Sequence, residues 1–503
     1  MNLVSGMLLR FKRFVIPKYH KLWFNKVTAQ KLGLKENTIL LARFSSKKSA
    51  EWISKIMKNK YGYYARLGER VLKEEGIRDG DTVDMEILKK CELDAHMEPH
   101  FYDGKLDLTS FMKKGHFGFF EKRSGKILIY SYPHSSILIK RFVDLNGSLP
   151  WLIGFYLAEG NMTNVFGVCN TNPDLLMSFK RGMELEIGVN ETLWRVEISA
   201  NRRLTEDELK KYWSKELCIG KERVVVYFKK IKINSDFGVA RLDLARSRPL
   251  LKIWLNMCFD SKVLKNILLN NILAKNFLFG FEAGDGYVSS YKTKEGWNKL
   301  EVGIQQKKNE RIVKFISDVY SRLYGRPKTS WSENKGTKVY YNDCRKIRDF
   351  ILDDHFCECE RQRRKLIEGY ARTKFGKCDL KYLKSLENKS VNELSEHLGL
   401  TVGAVHEKLH RSMKLELVKR NKKYGMFRYV LTNKGKYLLK CLLSVGESNE
   451  KNVLHKNLRM PVEQVGLDDN RGNIREYRTC SCFSEGGRLC HSQFVCGQVS
   501  DRK

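Results

Sequence analysis

Trp151-Leu-Ile-Gly-Phe-Tyr-Leu-Ala-Glu-Gly160 and Phe277-Leu-Phe-Gly-Phe-Glu-Ala-Gly-Asp-Gly286 are two renderings of one phrase. Each has a glycine (Gly154, Gly280), a small residue four places on (Ala158, Gly284), an acid (Glu159, Asp285) and a closing glycine (Gly160, Gly286). Apolar residues fill most of the remainder, so each copy reads as a buried helix. Small residues four apart share one helix face and let two helices approach until their backbones nearly touch. Such packing sets Glu159 beside Asp285. The closing glycines are expected in the left-handed conformation that ends helices, with each acid on the last turn. The helix dipole disfavours a carboxylate there by about 0.3–1 kcal/mol. Two acids held together in disfavoured places call for a bound cation.

Both segments resemble the paired motif of the LAGLIDADG (dodecapeptide, DOD-type) homing endonucleases, and the first is similar to the archaeal and intein-associated variety. The resemblance implies an α+β fold. Two pseudosymmetric αββαββα half-domains with saddle-shaped antiparallel sheets would meet at the motif helices, and the penultimate acids would hold divalent metal at the scissile phosphates. Glu159 and Asp285 match those positions. The sixth motif position, often acidic in the family, is Leu157 in one copy and Ala283 in the other.

The sequence after Gly286 reads as a hairpin: Tyr287 to Lys294, a turn at Glu295-Gly296, then Lys299 to Lys307. Leu300, Val302 and Ile304 alternate towards the helices, leaving Lys299, Glu301, Gln305 and Lys307 on a polar face. With Tyr287, Ser289 and Tyr291 of the first strand, these side chains are the expected contacts to a DNA major groove, where glutamine and lysine match base-edge and phosphate acceptors. Asn309 then caps a helix carrying Ile312, Ile316, Val319 and Leu323. The first copy is followed by a strand near Val165 to Asn170 and a helix opened by Asn172-Pro173-Asp174. Strands near Leu193 to Ile198, Arg223 to Phe228 and Val239 to Leu244, a helix at Leu204 to Glu216 and another at Pro249 to Met257 complete it. The unequal halves predict an asymmetric target.

Composition points to the same partner. The 503 residues carry 93 Lys+Arg against 58 Asp+Glu, a formal net charge of +35, which favours a polyanion. The length implies several domains, and no uncharged apolar run of about 18 residues argues for a membrane helix; a cytoplasmic, soluble protein without a membrane partner is expected. Its thirteen cysteines are mostly scattered, and Cys169, Cys218 and Cys258 lie in apolar segments as buried thiols.

The expected organisation is an N-terminal α/β region (1–140), the two half-domains (141–275 and 276–370), a module at 376–445 and a disordered tail (446–503). The module's order of helix, helix, turn, helix, hairpin, helix resembles a winged helix-turn-helix. Its recognition helix would present Thr401, His406, Lys408, His410 and Arg411, and its wing turn Arg420, Lys422 and Lys423. Near the N-terminus, Leu32 to Leu41 and Glu75 to Asp84 resemble each other, each a helix end, a turn and a strand, and are faintly similar to swapped-hairpin barrel modules. In the tail, Cys480, Cys482, Cys490, His491 and Cys496 lack the paired spacing of strong zinc sites. His355, Cys357 and Cys359 read as a buried cluster at a helix end.

The resemblance implies site-specific hydrolysis of double-stranded DNA with Mg2+ or Mn2+ on Glu159 and Asp285. It also implies roles for Gln306, Lys307 and Asn170 in ordering the attacking water, and for Arg246 and Lys338 in stabilising the transition state. A single chain carrying both motifs would act as a monomer. Two other readings share the scaffold: a non-cleaving DNA-binding transcriptional regulator, and a maturase acting on intron RNA. The chain neither begins with Cys or Ser nor ends in His-Asn, which sets protein splicing aside.

Overall fold

The computed structural model describes residues 13–16 and 21–447, except 37, 45–51, 68–71, 74–75, 79–80, 84, 92–100, 103, 113–116, 123–124, 132–134, 164, 230–232, 234, 295, 297, 308, 334–335 and 424–425. The chain is α+β, with several largely antiparallel sheets. The expected cysteine-containing tail lies outside the described residues. The chain forms two compact units, 1–287 with 303–340 and 288–302 with 341–503.

The first unit begins with β1 (Arg13–Ile16), β2 (Lys21–Phe24), α1 (Lys26–Lys31), β3 (Ile39–Phe44), β4 (Trp52–Asn59), β5 (Gly62–Arg66), β6 (Thr82–Val83) and β7 (Met85–Cys91). These strands make one sheet in the order β6-β1-β2-β5-β4-β3-β7. Leu22, Phe24, Leu40, Ala42, Ile56 and Ala65 share its core. The two similar phrases turn alike at their described glycines. Gly33 (φ 58°) and Gly76 (φ 63°) take left-handed turns, and Leu34 and Ile77 donate back to Ala29 and Leu72. The strands that follow, β3 and β7, pair antiparallel.

Next come β8 (Phe101–Tyr102), β9 (Lys105–Asp107), β10 (Phe117–Glu121), β11 (Lys126–Ser131), β12 (Ser135–Lys140) and β13 (Phe142–Asp144). Strands β12 and β13 are separated at Arg141, whose guanidinium holds Asp107 at 2.8 Å. Then follow α2 (Leu149–Glu159), β14 (Gly167–Asn170), α3 (Pro173–Gly182), β15 (Trp194–Ala200), α4 (Glu206–Leu217), β16 (Val224–Phe228), β17 (Val239–Leu244), α5 (Arg248–Cys258), α6 (Ser261–Leu269) and α7 (Asn271–Asp285). Every expected element of this stretch is present. Its sheet, β14-β17-β15-β16, departs from the expectation of an antiparallel sheet, because β15 and β16 are parallel. Helix α4, closed at its start by a Thr205/Glu208 capping box, forms the crossover that parallel strands require. Tyr156, Phe166, Phe179 and Trp254 interlock beneath the sheet, with centroids of Tyr156 and Phe166 4.9 Å apart.

After α7 the order is β18 (Gly286–Lys292), β19 (Asn298–Gln306), α8 (Glu310–Tyr324), β20 (Lys328–Ser332) and β21 (Gly336–Tyr341). In the first unit, α8 starts where the Asn309 side chain accepts from the N–H groups of Arg311 and Ile312, and β20 pairs antiparallel with β21. In the second unit, β18 and β19 are neighbours joined through Gly296 (φ 81°), as expected. Leu300 of β19 packs where Gly369 leaves room for it.

The second unit continues with α9 (Cys344–Leu352), α10 (Glu360–Arg372), α11 (Lys374–Ser385), β22 (Glu387–Lys389), α12 (Val391–Leu398), α13 (Val402–Lys414), β23 (Val418–Lys423), β24 (Met426–Leu431) and α14 (Asn433–Glu447). The expected helix, helix, helix, hairpin, helix order holds. Strand β23 runs on to Lys423, so Arg420 and Lys422 stand on the wing strand rather than its turn; Lys423 pairs with Met426. A third strand, β22, adds to β24. His355 is buried against Phe350, with ring centroids 4.2 Å apart.

Among the described residues no helix is long and apolar enough to cross a membrane. Cys258 is buried, whereas Cys218 is exposed at the left-handed C-cap of α4 (φ 50°), a correction to its expected burial.

Candidate active site at the paired helix ends

Helices α2 and α7 meet backbone to backbone. A Cβ added at Gly154 would lie 2.1 Å from the Phe277 carbonyl oxygen, and one at Gly280 would lie 2.1 Å from that of Trp151. The two glycines thus exchange the same contact, each against the carbonyl three residues before the other. At the far end of the crossing, a Cβ at Gly284 would meet Ala158 Cβ at 2.6 Å and Glu159 Cγ at 2.7 Å. The Glu159 side chain therefore rests on the residue preceding Asp285, and each acid is the last residue of its helix.

The closing glycines do not adopt the expected left-handed conformation. Gly160 (φ −77°, ψ 146°) and Gly286 (φ −73°, ψ 143°) are extended and lead directly into sheet structure. At Gly160 the reason for glycine is space: a Cβ there would lie 2.3 Å from the Tyr156 carbonyl oxygen.

Each acid receives a carboxamide from a strand that follows it. Asn170 Nδ2 donates to Glu159 Oε1 at 3.0 Å, and Gln306 Nε2 donates to Asp285 Oδ2 at 2.7 Å. The amides are oriented by the same device. Asn170 Oδ1 accepts from the Asn172 N–H at 2.8 Å, and Gln306 Oε1 accepts from the Lys307 N–H at 2.9 Å. A backbone N–H can only donate, so it fixes the oxygen and turns each NH2 towards its carboxylate. Burial pushes the Glu159 carboxyl up to about 7, and the hydrogen bond from Asn170 opposes that rise. A carboxylate so placed gains from a nearby positive charge.

Both acids offer carboxylate oxygens, the hard donors that Mg2+ and Mn2+ accept while retaining waters. Among the described residues no group of three or more His, Cys, Asp or Glu is placed to hold a metal ion.

The surrounding residues divide. Lys338 Nζ lies 4.8 Å from the centroid of Tyr287, two residues beyond Asp285, and Lys307 is exposed beside Gln306. Arg246 is not brought to the site. The register pairs Asn170 with Ala240 and Gly167 with Asp243, so Arg246 lies beyond the opposite end of β17, in an exposed left-handed turn (φ 57°). The basic residue the sheet places beside Asn170 is Arg241, opposite Cys169, with its guanidinium 2.7 Å from both Glu197 and Asp243. Cys169, Glu197, Ser199, Tyr227, Lys229 and Arg241 line a shallow cavity of about 390 Å³ on the outward face of this sheet. Sequence patterning does not reveal it, because it depends on a register set by distant strands.

On β19, Leu300, Val302 and Ile304 are buried as expected, while Lys299 is exposed and Glu301 and Gln305 are partly so. On β18, Val288 is buried, Tyr287 and Ser289 are half-buried and Tyr291 is 45% exposed. Trp331 on β20, 73% exposed, is a further surface aromatic without a sequence signal. Glu282, inside the second motif helix, is buried and accepts from Tyr320 Oη at 2.7 Å. In the winged module Thr401 caps α13, and His406, His410 and Arg411 are exposed, Arg411 paired with Glu407. Lys408 does not reach outwards as expected. Its ammonium sits 4.5 Å from the Tyr382 ring centroid, and burial lowers its pKa. Arg420 stacks 4.2 Å from the exposed ring of Phe427 on the neighbouring strand.

No family profile and no curated protein matches the chain. Among solved structures, it is similar to two crystal structures of I-DmoI in complex with DNA. The one with Ca gives 14% identity and a TM-score of 0.20, covering 41% of this chain and 88% of that one. The one with Mn gives 15% identity and a TM-score of 0.20, covering 41% and 96%. It is also similar to full-length DUF199/WhiA from Thermatoga maritima, with 12% identity and a TM-score of 0.25, covering 54% and 92%. The functional reading rests on the residues of this chain.

Proposed function

We propose that this protein is a divalent-metal-dependent, site-specific endonuclease acting on double-stranded DNA. The observation that carries this reading is the pair of acids, Glu159 and Asp285, each the last residue of one of two helices pressed together by reciprocal glycine contacts, and each with an oriented carboxamide. Their oxygens would hold Mg2+ or Mn2+. The metal, when bound, supplies an activated water and neutralises charge on the phosphodiester oxygens.

The chain's own groups do the positioning. Asn170 and Gln306 hold the carboxylates in place, Lys307 and Lys338 sit where phosphate charge develops, and the outward sheet faces supply contacts to the duplex. These include Tyr287, Ser289, Tyr291, Lys299, Glu301 and Gln305 in one half and Arg241 and Lys229 in the other. The winged module adds binding energy through Arg420, Lys422 and the exposed side of α13. One chain furnishes both acids, so a monomer suffices. The two αββαββα halves belong to this proposal as its scaffold, with the parallel β15/β16 pair as a departure in the first.

The test is incubation with a randomised duplex library with and without Mg2+, sequencing the bound and cut pools. Metal-dependent cuts at a defined sequence, absent in Glu159→Gln and Asp285→Asn, are expected. Sequence-selective binding without cutting in the unaltered protein would instead make it a regulator on the same scaffold. Selective recovery of structured RNA would point to a maturase.

A further inference from the structure

The N-terminal sheet has two unlike faces. One carries the core, with Leu22, Ala65 and Ile56 fully buried on β2, β5 and β4. The other, among the described residues, is covered only in part. Around β3 and β4, Ile39, Leu41 and Ile53 pack against Phe120 and Leu128 of β10 and β11. Around β2 and β5 the outward side chains are Lys21, Trp23, Tyr64 and Arg66, followed by Lys55 and Met57 on β4.

This open half is aromatic and cationic. Trp23 and Tyr64 are directly paired across the strands, with ring centroids 5.1 Å apart and planes at 41°. The Lys21 ammonium lies 4.8 Å from the Tyr64 centroid and 5.8 Å from that of Trp23. Lys21 is directly opposite Arg66, and Met57 opposite Tyr64. None of β2, β4 and β5 contains Asp or Glu. Adjacent partly exposed rings ringed by cations on a flat sheet match unpaired bases, whose π-faces stack while phosphates meet the cations. A duplex hides those base faces. An acidic peptide would use the cations and leave the rings idle.

We infer that this face is a second nucleic-acid site, which binds single-stranded nucleic acid by stacking bases on Trp23 and Tyr64 and holding phosphates with Lys21, Lys55 and Arg66. It is separate from the paired acids and does not depend on the nuclease reading.

The test uses the full-length protein and labelled oligothymidylate and oligouridylate of about 15 nucleotides, with anisotropy measured in excess unlabelled duplex. Binding of at least one is expected to persist in the duplex, and the tighter of the two identifies DNA or RNA as the source. Trp23→Ala combined with Tyr64→Ala should weaken it about tenfold or more while duplex affinity stays unchanged, and Trp23→Phe should retain it. Photo-crosslinking of a halogenated-uracil oligonucleotide to the unaltered protein should label Trp23 or Tyr64. The inference is overturned if neither oligonucleotide binds, if the double variant binds as before or loses duplex affinity in parallel, or if the crosslinks map elsewhere.

Discussion

At the scale of single residues, the site is built from an economy of polar atoms. Glu159 and Asp285 each accept from a carboxamide, whose oxygen in turn accepts from a backbone N–H. Under the proposed function, Asn170 and Gln306 would be positioning residues. Replacing either by alanine should lower cleavage about 10–100-fold, the usual effect of losing a group that orients a metal ligand, with duplex affinity unchanged and a raised metal requirement; cleavage titrated against Mg2+ checks this. The glycines are steric. Gly154→Ala drives a methyl into the Phe277 carbonyl and should cost about 3 kcal/mol in urea unfolding. Gly403, inside α13 with open space around its Cβ position, is the control: Gly403→Ala should stabilise by about 0.5–1 kcal/mol through helix propensity.

At the scale of elements, much of the architecture is legible because it is local. Caps at Asn172 and Asn309 and the alternation of Leu300, Val302 and Ile304 place their helices and strand from sequence alone. The small residues at Gly154 and Gly280 announce a close helix crossing, and Asn170 and Gln306 stand on the acids. What is not legible is non-local. A buried strand such as β15 alternates in the same way beside a parallel or an antiparallel neighbour, so the β15/β16 pairing is hidden. Arg241 escapes a sequence reading and Arg246 is misplaced by it because only the β14/β17 register separates them. The extended conformation of Gly160 is likewise hidden, because glycine is equally at home in the left-handed region. Lys408 shows the same limit, since its turn towards Tyr382 depends on packing from another helix. Lys408→Ala should accordingly lower the melting temperature while leaving the salt dependence of duplex binding unchanged. Arg420→Ala with Lys422→Ala should do the reverse, weakening binding across sequences and reducing the salt slope by about one unit for each phosphate that is no longer neutralised.

At the scale of the whole molecule, a net charge of +35 on 503 residues favours association with a polyanion, and the burial of thiols and phenols makes stability fall at alkaline pH. Burial raises the Cys441 thiol to about 11, and it raises the phenols of Tyr370 and Tyr437 as well. These groups are neutral when folded and ionise more readily when unfolded. Their stabilisation is complete below about pH 9 and declines as pH climbs through 11. For Cys441 the loss is on the order of 2 kcal/mol, and Cys441→Ala should flatten that part of the curve in urea unfolding from pH 8 to 11.

The central claim is that Glu159 and Asp285 together form one metal-dependent hydrolytic site, and single-turnover cleavage of the selected duplex tests it most directly. With Mg2+ the unaltered protein should cut both strands, and Glu159→Gln and Asp285→Asn should each bind the duplex within about threefold of it yet cut at least about a thousandfold more slowly. Cutting that persists in both variants, or that proceeds equally in chelator, would contradict the claim.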